Sequence, residues 1–314
     1  MNYIGVDLGG TNIKAALVDE NCTILDEISC PTGLPRPAEA VCDDIARLCR
    51  TLADQAPVEG IGVGCPGTVD GGRVLYSNNL GWQNFDMADY LSAATGLRVS
   101  LANDANAAAL GEALAGCAKG AQSAVILTLG TGVGGGVVIG GRLLTGYTGA
   151  ASEPGHMVIL DTADAPQCTC GRRGCLESLA SATALIRMTR EAMDREPGSC
   201  LHRLAAETGG PDGRTAFEAA DLGDAAGRQV VEQYVHGLAV GIANLINIFY
   251  PEVVGLSGGV ANQGENLLQP LREAVSPMVF GDAFASRHTR ITACTLGYRA
   301  GVIGAALLAR RQEE

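Results

Sequence analysis

Two stretches of this chain repeat one device, an apolar strand, a glycine turn and a second apolar strand. The first runs Tyr3–Asp7, Gly9-Gly10, Ile13–Asp19, and the second runs Ser123–Leu129, Gly130-Thr131-Gly132, Val133–Ile139. Strand-forming runs on either side of glycines read as hairpins. A third strand near Ile24–Ser29 extends the first hairpin into a meander. Downstream of each hairpin, helical and strand patterns alternate, so the expected fold is α/β in two related halves. In the first half, a proline-rich loop over residues 31–37 leads to a helix over Ala38–Gln55. A small-residue strand at Gly60–Gly64 then ends at Pro66-Gly67, and Asn103-Asp104 start a further helix. In the second half, Val231, Tyr234, Val235, Leu238, Ile242, Leu245, Ile246 and Phe249 recur at helical spacing within 226–249, which predicts a core helix. Strand Val253–Leu256 leads into Ser257-Gly258-Gly259, and a last helix is expected over Leu296–Arg310.

With 314 residues and 47% hydrophobic content the chain can bury one large core or two ordinary ones, and two lobes are expected. Its net charge of −12 and lack of any basic run argue against nucleic acid or an anionic membrane surface as partner. The longest apolar stretch, Gly237 to Tyr250, carries Asn244 and Asn247 and is too short to span a bilayer. Eleven cysteines, an odd number without framework spacing, and no signal peptide before Met1 point to a reducing compartment, the cytoplasm.

The segment from Glu153 to Glu177 carries the densest chemistry. Cys168, Cys170 and Cys175 form C-x-C-x4-C with glycines at 171 and 174, and His156 lies upstream, across an expected strand. Three thiolates and one imidazole make a closed tetrahedral zinc site, which is structural because catalysis needs an open coordination position. The alternatives, three buried thiols beside a surface histidine or a redox disulfide, fit this spacing less well. Glu153 and Glu177 each sit beside a ligand, so the metal would fix two carboxylates suited to a polyol.

Glycine clusters at 9–10, 130–136 and 258–259 match neither the phosphate loop ending in Gly-Lys-Ser/Thr nor a dinucleotide fingerprint. A glycine turn nevertheless exposes consecutive backbone N–H groups to an anion, and Thr11 or Thr131 can add a hydroxyl. Asp7, beside the first turn, could position Mg²⁺ through hard oxygen contacts. Any single cluster would be read as a hairpin turn; together they point to a nucleotide triphosphate.

DLGGTNIK near the start, NDANAAALGE at 103–112, LGTGVGGG at 129–136, EPGH at 153–156, CTCGRRGCLE at 168–177 and LSGGVAN at 256–262 resemble, in order and over residues 4 to about 304, the ROK (repressor, open reading frame, kinase) family of sugar kinases. The resemblance implies an actin-like ATPase, or ribonuclease H-like, α/β fold with two lobes around a central cleft. The smaller lobe would be 1–117, completed by a helix over 298–314, and the larger, zinc-bearing lobe 118–297. It implies ATP with Mg²⁺ at Asp7, Gly9, Gly10, Thr11, Asn12, Gly130, Thr131, Gly132, Gly134, Gly258 and Gly259. The implied reaction phosphorylates a hexose on its 6-hydroxyl, and NNLGWQNF at 78–85 is most similar to members that use ATP and D-glucose.

Carried over by motif, Asp104 is the general base, and Asn103, Glu153, His156 and Glu177, with Asn79 as a weaker candidate, hydrogen-bond the sugar. His156 would serve both zinc and sugar through its two nitrogens. Taken locally, Asp104 also reads as an ordinary N-cap whose helix dipole keeps it ionised. His236 reads as a core or interface histidine, Trp82 as a loop anchor or a wall of the sugar entrance, and Arg172-Arg173 as a solvated tip; His202 and His288 are assigned nothing. Family kinases for N-acetylglucosamine, N-acetylmannosamine, allose or fructose share these motifs, so the hexose stays open. Polyphosphate is disfavoured as donor because members that use it usually lack the cysteines. A sugar-sensing repressor would carry a helix-turn-helix ahead of DLGGT, which begins here at Asp7, and a zinc-stabilised scaffold would leave Asp104 without a role. The resemblance implies a homodimer or homotetramer.

Overall fold

The computed structural model of the chain describes residues 1–310, so the part of the expected last helix beyond 310 lies outside the described residues. In chain order the elements are β1 (Asn2–Leu8), β2 (Asn12–Asp19), β3 (Ile24–Pro31), α1 (Ala38–Ala53), β4 (Ile61–Cys65), β5 (Thr68–Asp70), β6 (Arg73–Ser77), β7 (Trp82–Phe85), α2 (Met87–Thr95), β8 (Val99–Asn103) and α3 (Asp104–Leu114). There follow β9 (Ser123–Leu129), β10 (Val133–Ile139), β11 (Arg142–Leu143), α4 (Leu176–Ala180), α5 (Ala182–Arg195), α6 (Leu201–Glu207), α7 (Thr215–Asp221), α8 (Ala225–Phe249), β12 (Val253–Ser257), α9 (Glu265–Val275), β13 (Arg290–Ala293) and α10 (Ala300–Ala309). Two five-stranded sheets have the orders β3-β2-β1-β4-β8 and β11-β10-β9-β12-β13, so each repeats the same sequence of a meander and two added strands.

The chain forms two compact units. The first contains Met1–Ser123, Gly136–Ser152 and the described residues from Thr295 on. Within it β1 and β2 are antiparallel, while β4 and β8 run parallel to β1. One sheet face is covered by α1, whose Val41, Ile45, Leu48 and Leu52 fall at helical spacing and are buried. Burying Ile45 and Leu52 contributes about 1.5–3 kcal/mol each. Against the other face, Val302, Ala306 and Ala309 of α10 pack on Tyr3, Ala16 and Val18. Helix α10 also lies close on α3, and the buried Glu112 of α3 accepts hydrogen bonds from Thr295 N at 3.0 Å and Leu296 N at 2.7 Å. Short strands β5, β6 and β7 form a separate antiparallel sheet, braced by Arg73 donating to Asp86 at 2.6 Å. Trp82 opens β7, is buried, and stacks obliquely on Phe85 at 5.7 Å, so it is a core anchor rather than an open sugar wall.

The second unit comprises Ala124–Gly135 and Glu153–Cys294. Here β12 runs parallel to both β9 and β13. The 25-residue α8 is its backbone, started by Asp224, whose carboxylate accepts from Ala226 N and Gly227 N. Backbone and side-chain donors hold that carboxyl down at about 2. Tyr234, Leu238, Ile242, Leu245 and Ile246 of α8 are buried, whereas Val231 and Phe249 are half-buried. His236 points to solvent, because its position falls outside the buried stripe, and the expected core role does not hold. His202 meets the Met193 carbonyl oxygen at 3.1 Å, and His288 pairs with Asp282 at 2.8 Å. Residues 157–160 form no strand. An isolated antiparallel bridge joins Val158 to Cys175, with Ile159 N donating to Gly174 O and Leu176 N to Met157 O, both at 2.9 Å.

Candidate functional site

In parallel α/β sheets, polar ligands are met at the C-terminal strand ends. In the first unit those ends belong to β1, β4 and β8, with Asp7 level with Gly64 and Cys65 level with Asn103. This registry brings Asp7, the turn after it and Asn103-Asp104 to one edge. The turn is tight: Gly9 N donates to Asn12 O at 2.9 Å, and Gly10 has open space on its side-chain face. Burial pushes the Asp7 carboxyl up, the negative charge of Asp104 adds to this, and Lys14 opposes it. Burial likewise pushes Asp104 up, against the hydrogen bond from Ala105 N. Two half-buried carboxylates at one edge, the charge of Asp104 felt at Asp7, suit a site where one meets a hard cation and the other takes a proton.

Asn103, not Asp104, caps α3. Its Oδ1 accepts from Ala105 N at 2.9 Å and Asn106 N at 3.2 Å, and its Nδ2 donates to Gly67 O at 3.0 Å. Asp104 is therefore the first helical residue, and its carboxylate retains acceptor capacity beyond the Ala105 N–H. Asn79 is exposed in the turn between β6 and β7.

In the second unit the same rule applies to β9 and β12. Ser257 and Thr128 are level across the sheet and share a hydroxyl hydrogen bond of 2.9 Å. That places the turn of Gly130, Thr131 and Gly132, and Gly134 at the start of β10, beside Gly258-Gly259. Gly130 N donates to Gly132 O at 3.0 Å, while Ala182 N donates to Gly130 O at 2.8 Å and Thr183 Oγ1 to Thr131 O at 2.7 Å. Thus the start of α5 holds the turn. Gly258 has φ of +90°, and a Cβ there would overlap the Leu129 carbonyl oxygen, so only glycine fits. Gly259 has open space around it.

The cysteine loop converges as its spacing predicts. Ligand atoms of His156, Cys168, Cys170 and Cys175 all lie within 4.8 Å of one another. Cys168 Sγ is 3.6 Å from His156 Nδ1, and Cys170 Sγ is 3.7 Å from Cys175 Sγ. A tetrahedron with zinc–sulfur bonds near 2.3 Å and zinc–nitrogen near 2.0 Å requires separations of about 3.5–3.8 Å, so these two pairs match that spacing and the donor set fits zinc in chemistry. The Arg172 backbone N–H draws the Cys170 thiol down to about 6, whereas burial pushes Cys175 up to about 12. The arginines are exposed yet structural: Arg172 donates to His156 O at 3.0 Å and Arg173 to Ala165 O at 2.9 Å. They brace the loop rather than form an idle tip.

Glu153 is exposed ahead of the short turn Pro154–His156, and His156 N donates to Glu153 O at 3.1 Å. Glu177 is half-buried. Its Oε1 accepts from Thr169 Oγ1 at 2.6 Å and its Oε2 from Val133 N at 3.2 Å. Neither partner carries a motif signal: one is a backbone amide and the other the residue between two cysteines.

The ROK family model matches residues 3–312. The glucokinase of Thermotoga maritima is 39% identical over 99% of this chain and 98% of its own length. A solved ROK family glucokinase from Streptomyces griseus, in complex with glucose and AMPPNP, is similar at 35% identity and a TM-score of 0.78 over 99% of both chains. A solved ROK hexokinase from Thermus thermophilus is similar at 37% identity and 0.83, covering 98% of this chain and 97% of that one. The α/β architecture is that of the actin-like ATPase sugar kinases, as the motifs imply. With every motif in order and the match running nearly end to end, the chain belongs to the ROK family.

Proposed function

We propose that this chain is an ATP-dependent hexose kinase whose substrate is D-glucose. The observation that carries the reading is the near-full-length similarity to a glucokinase, together with a related structure holding glucose and an ATP analogue. In the reaction the 6-hydroxyl oxygen forms a bond to the γ-phosphorus, the bond from that phosphorus to the bridging oxygen breaks, and ADP leaves with its electron pair. Asp104 accepts the hydroxyl proton, and its raised pKa suits that task because a more basic carboxylate takes the proton more readily.

Mg²⁺, when bound with ATP, would neutralise charge on the phosphates, and Asp7 is the residue to position it. Backbone amides of the turns at 9–12, 130–134 and 258–259 would cradle the phosphates. Asn103, Glu153, His156 and Glu177, with Asn79, would bind sugar hydroxyls. Because Asn103 already spends its oxygen on the helix cap, it has one N–H left to offer a hydroxyl. Zinc would sit on Nδ1 of His156 and the three sulfurs, leaving Nε2 for the sugar. The same reading puts the chain in a reducing cytoplasm, where the thiols stay available to metal, and makes it a homodimer or homotetramer. Among the described residues no helix is long and apolar enough to cross a membrane.

The test is a coupled ADP-release assay with Mg²⁺-ATP against glucose, N-acetylglucosamine, N-acetylmannosamine, mannose, fructose and allose. Turnover selective for glucose supports the reading. Selectivity for another sugar corrects the substrate, and silence across the panel overturns the kinase assignment.

A further inference from the structure

Resting on the reading of Glu177 as a sugar ligand, we propose that Thr169 is a positioning residue that sets the Glu177 carboxylate for the hexose. Thr169 lies between the two cysteines of the C-x-C run and is exposed, so neither zinc binding nor core packing explains what it does. Its hydroxyl donates to Glu177 Oε1 at 2.6 Å, a short bond of the charge-assisted kind. Oε2 is fixed independently by Val133 N at 3.2 Å, a contact possible because a Cβ at Gly132 would collide with that oxygen.

The two donors leave a definite remainder. A carboxylate has about four acceptor sites, and here one on each oxygen is spent. Each oxygen keeps one further acceptor site, the one on Oε1 approached by Cys168 Sγ at 3.5 Å, a weak contact that a sugar hydroxyl can displace, and this is the arrangement needed to accept from two adjacent sugar hydroxyls. Thr169 is therefore the residue whose hydroxyl holds Oε1.

The experiment measures hexose binding by calorimetry, steady-state kinetics and zinc content for wild type, Thr169→Val, Thr169→Ser and Glu177→Gln. Thr169→Val is expected to raise the glucose Kd and KM roughly three- to tenfold, the effect of one hydrogen bond. ATP KM and zinc content stay at wild-type values, kcat changes less than about twofold, and Thr169→Ser restores binding. If Glu177→Gln weakens glucose binding while Thr169→Val does not, the positioning role is overturned and the reading of the site stands. If neither weakens it, Glu177 is not a sugar ligand and both fall. Loss of zinc from Thr169→Val would show that Thr169 supports the whole loop, and would also overturn the proposal.

Discussion

Replacing Asp104 by Asn separates chemistry from stability, and the two should move in opposite directions. The amide keeps the carboxylate's shape and an oxygen to accept from Ala105 N, but it cannot take the proton of the attacking hydroxyl. Turnover should fall roughly 10²–10⁴-fold, equivalent to about 3–5 kcal/mol of transition-state stabilisation, with little change in glucose Kd. Stability should respond through burial, which raises the folded-state pKa of Asp104 above its ordinary 3.8. A raised carboxyl favours folding only while protonated; that advantage is complete below the unfolded value and is lost as pH rises through the folded one. At neutral pH the charge is held at a cost, so Asp104→Asn should melt at or above the wild-type temperature. The gap should close as both proteins are taken toward acid. Melting curves across a pH series, with coupled ADP release on the same samples, measure both quantities. Wild-type turnover in the variant would refute the proton-acceptor role, and a lower melting temperature at neutral pH would refute the burial argument.

Two further expectations follow from the second unit. Gly258→Ala forces a side chain into a positive-φ position against the Leu129 carbonyl, so denaturant unfolding should show a loss of at least about 1–3 kcal/mol, with ATP KM raised in any folded material. An unchanged midpoint would mean the turn relaxes freely. Cys175→Ser should lose zinc and glucose affinity together, because the same loop carries ligands and Glu177. Tight glucose binding by zinc-free protein, seen by calorimetry beside metal analysis, would break that link.

Strong periodicity was legible and weak local signals were not. Both strands of the second hairpin fall where the residues predict, at 123–129 and 133–139, because apolar runs and glycines leave few other pairings. Helix α8 extends one residue beyond its predicted start, for it has a capping Asp224 and a continuous apolar stripe. Strands β5 to β7 are three to five residues long, too short for a periodic signal, and are held by turns and Arg73–Asp86. The start of the last helix was placed too early, since Gly297–Arg299 forms a separate short turn ahead of α10. Unit boundaries near 117 and 297 were expected, but residues 136–152 group with the first unit. Sequence order does not reveal that assignment, because it depends on contacts such as Gly149 against Val69 and Gly136 against Asn106. At the site, the motifs point to the side chains that carry chemistry. The cap exchange between Asn103 and Asp104 and the Thr169 contact were not, because each depends on which way a short polar side chain turns.

The docking of α10 on the first sheet also has a meaning in time. During synthesis β1 is made about 290 residues before α10, the span from Leu8 to Ala300, a wait of about 15–60 s at roughly 5–20 residues per second. Throughout that interval the strand carrying Asp7 and the helix carrying Asp104 lack the partner that packs against both. A ribosome-bound chain makes the cysteine loop about 125 residues before α10, the span from Cys175 to Ala300, whereas β13 of the second unit, ending at Ala293, precedes α10 by seven. Phosphoryl transfer would then wait until residues 300–309 have been made.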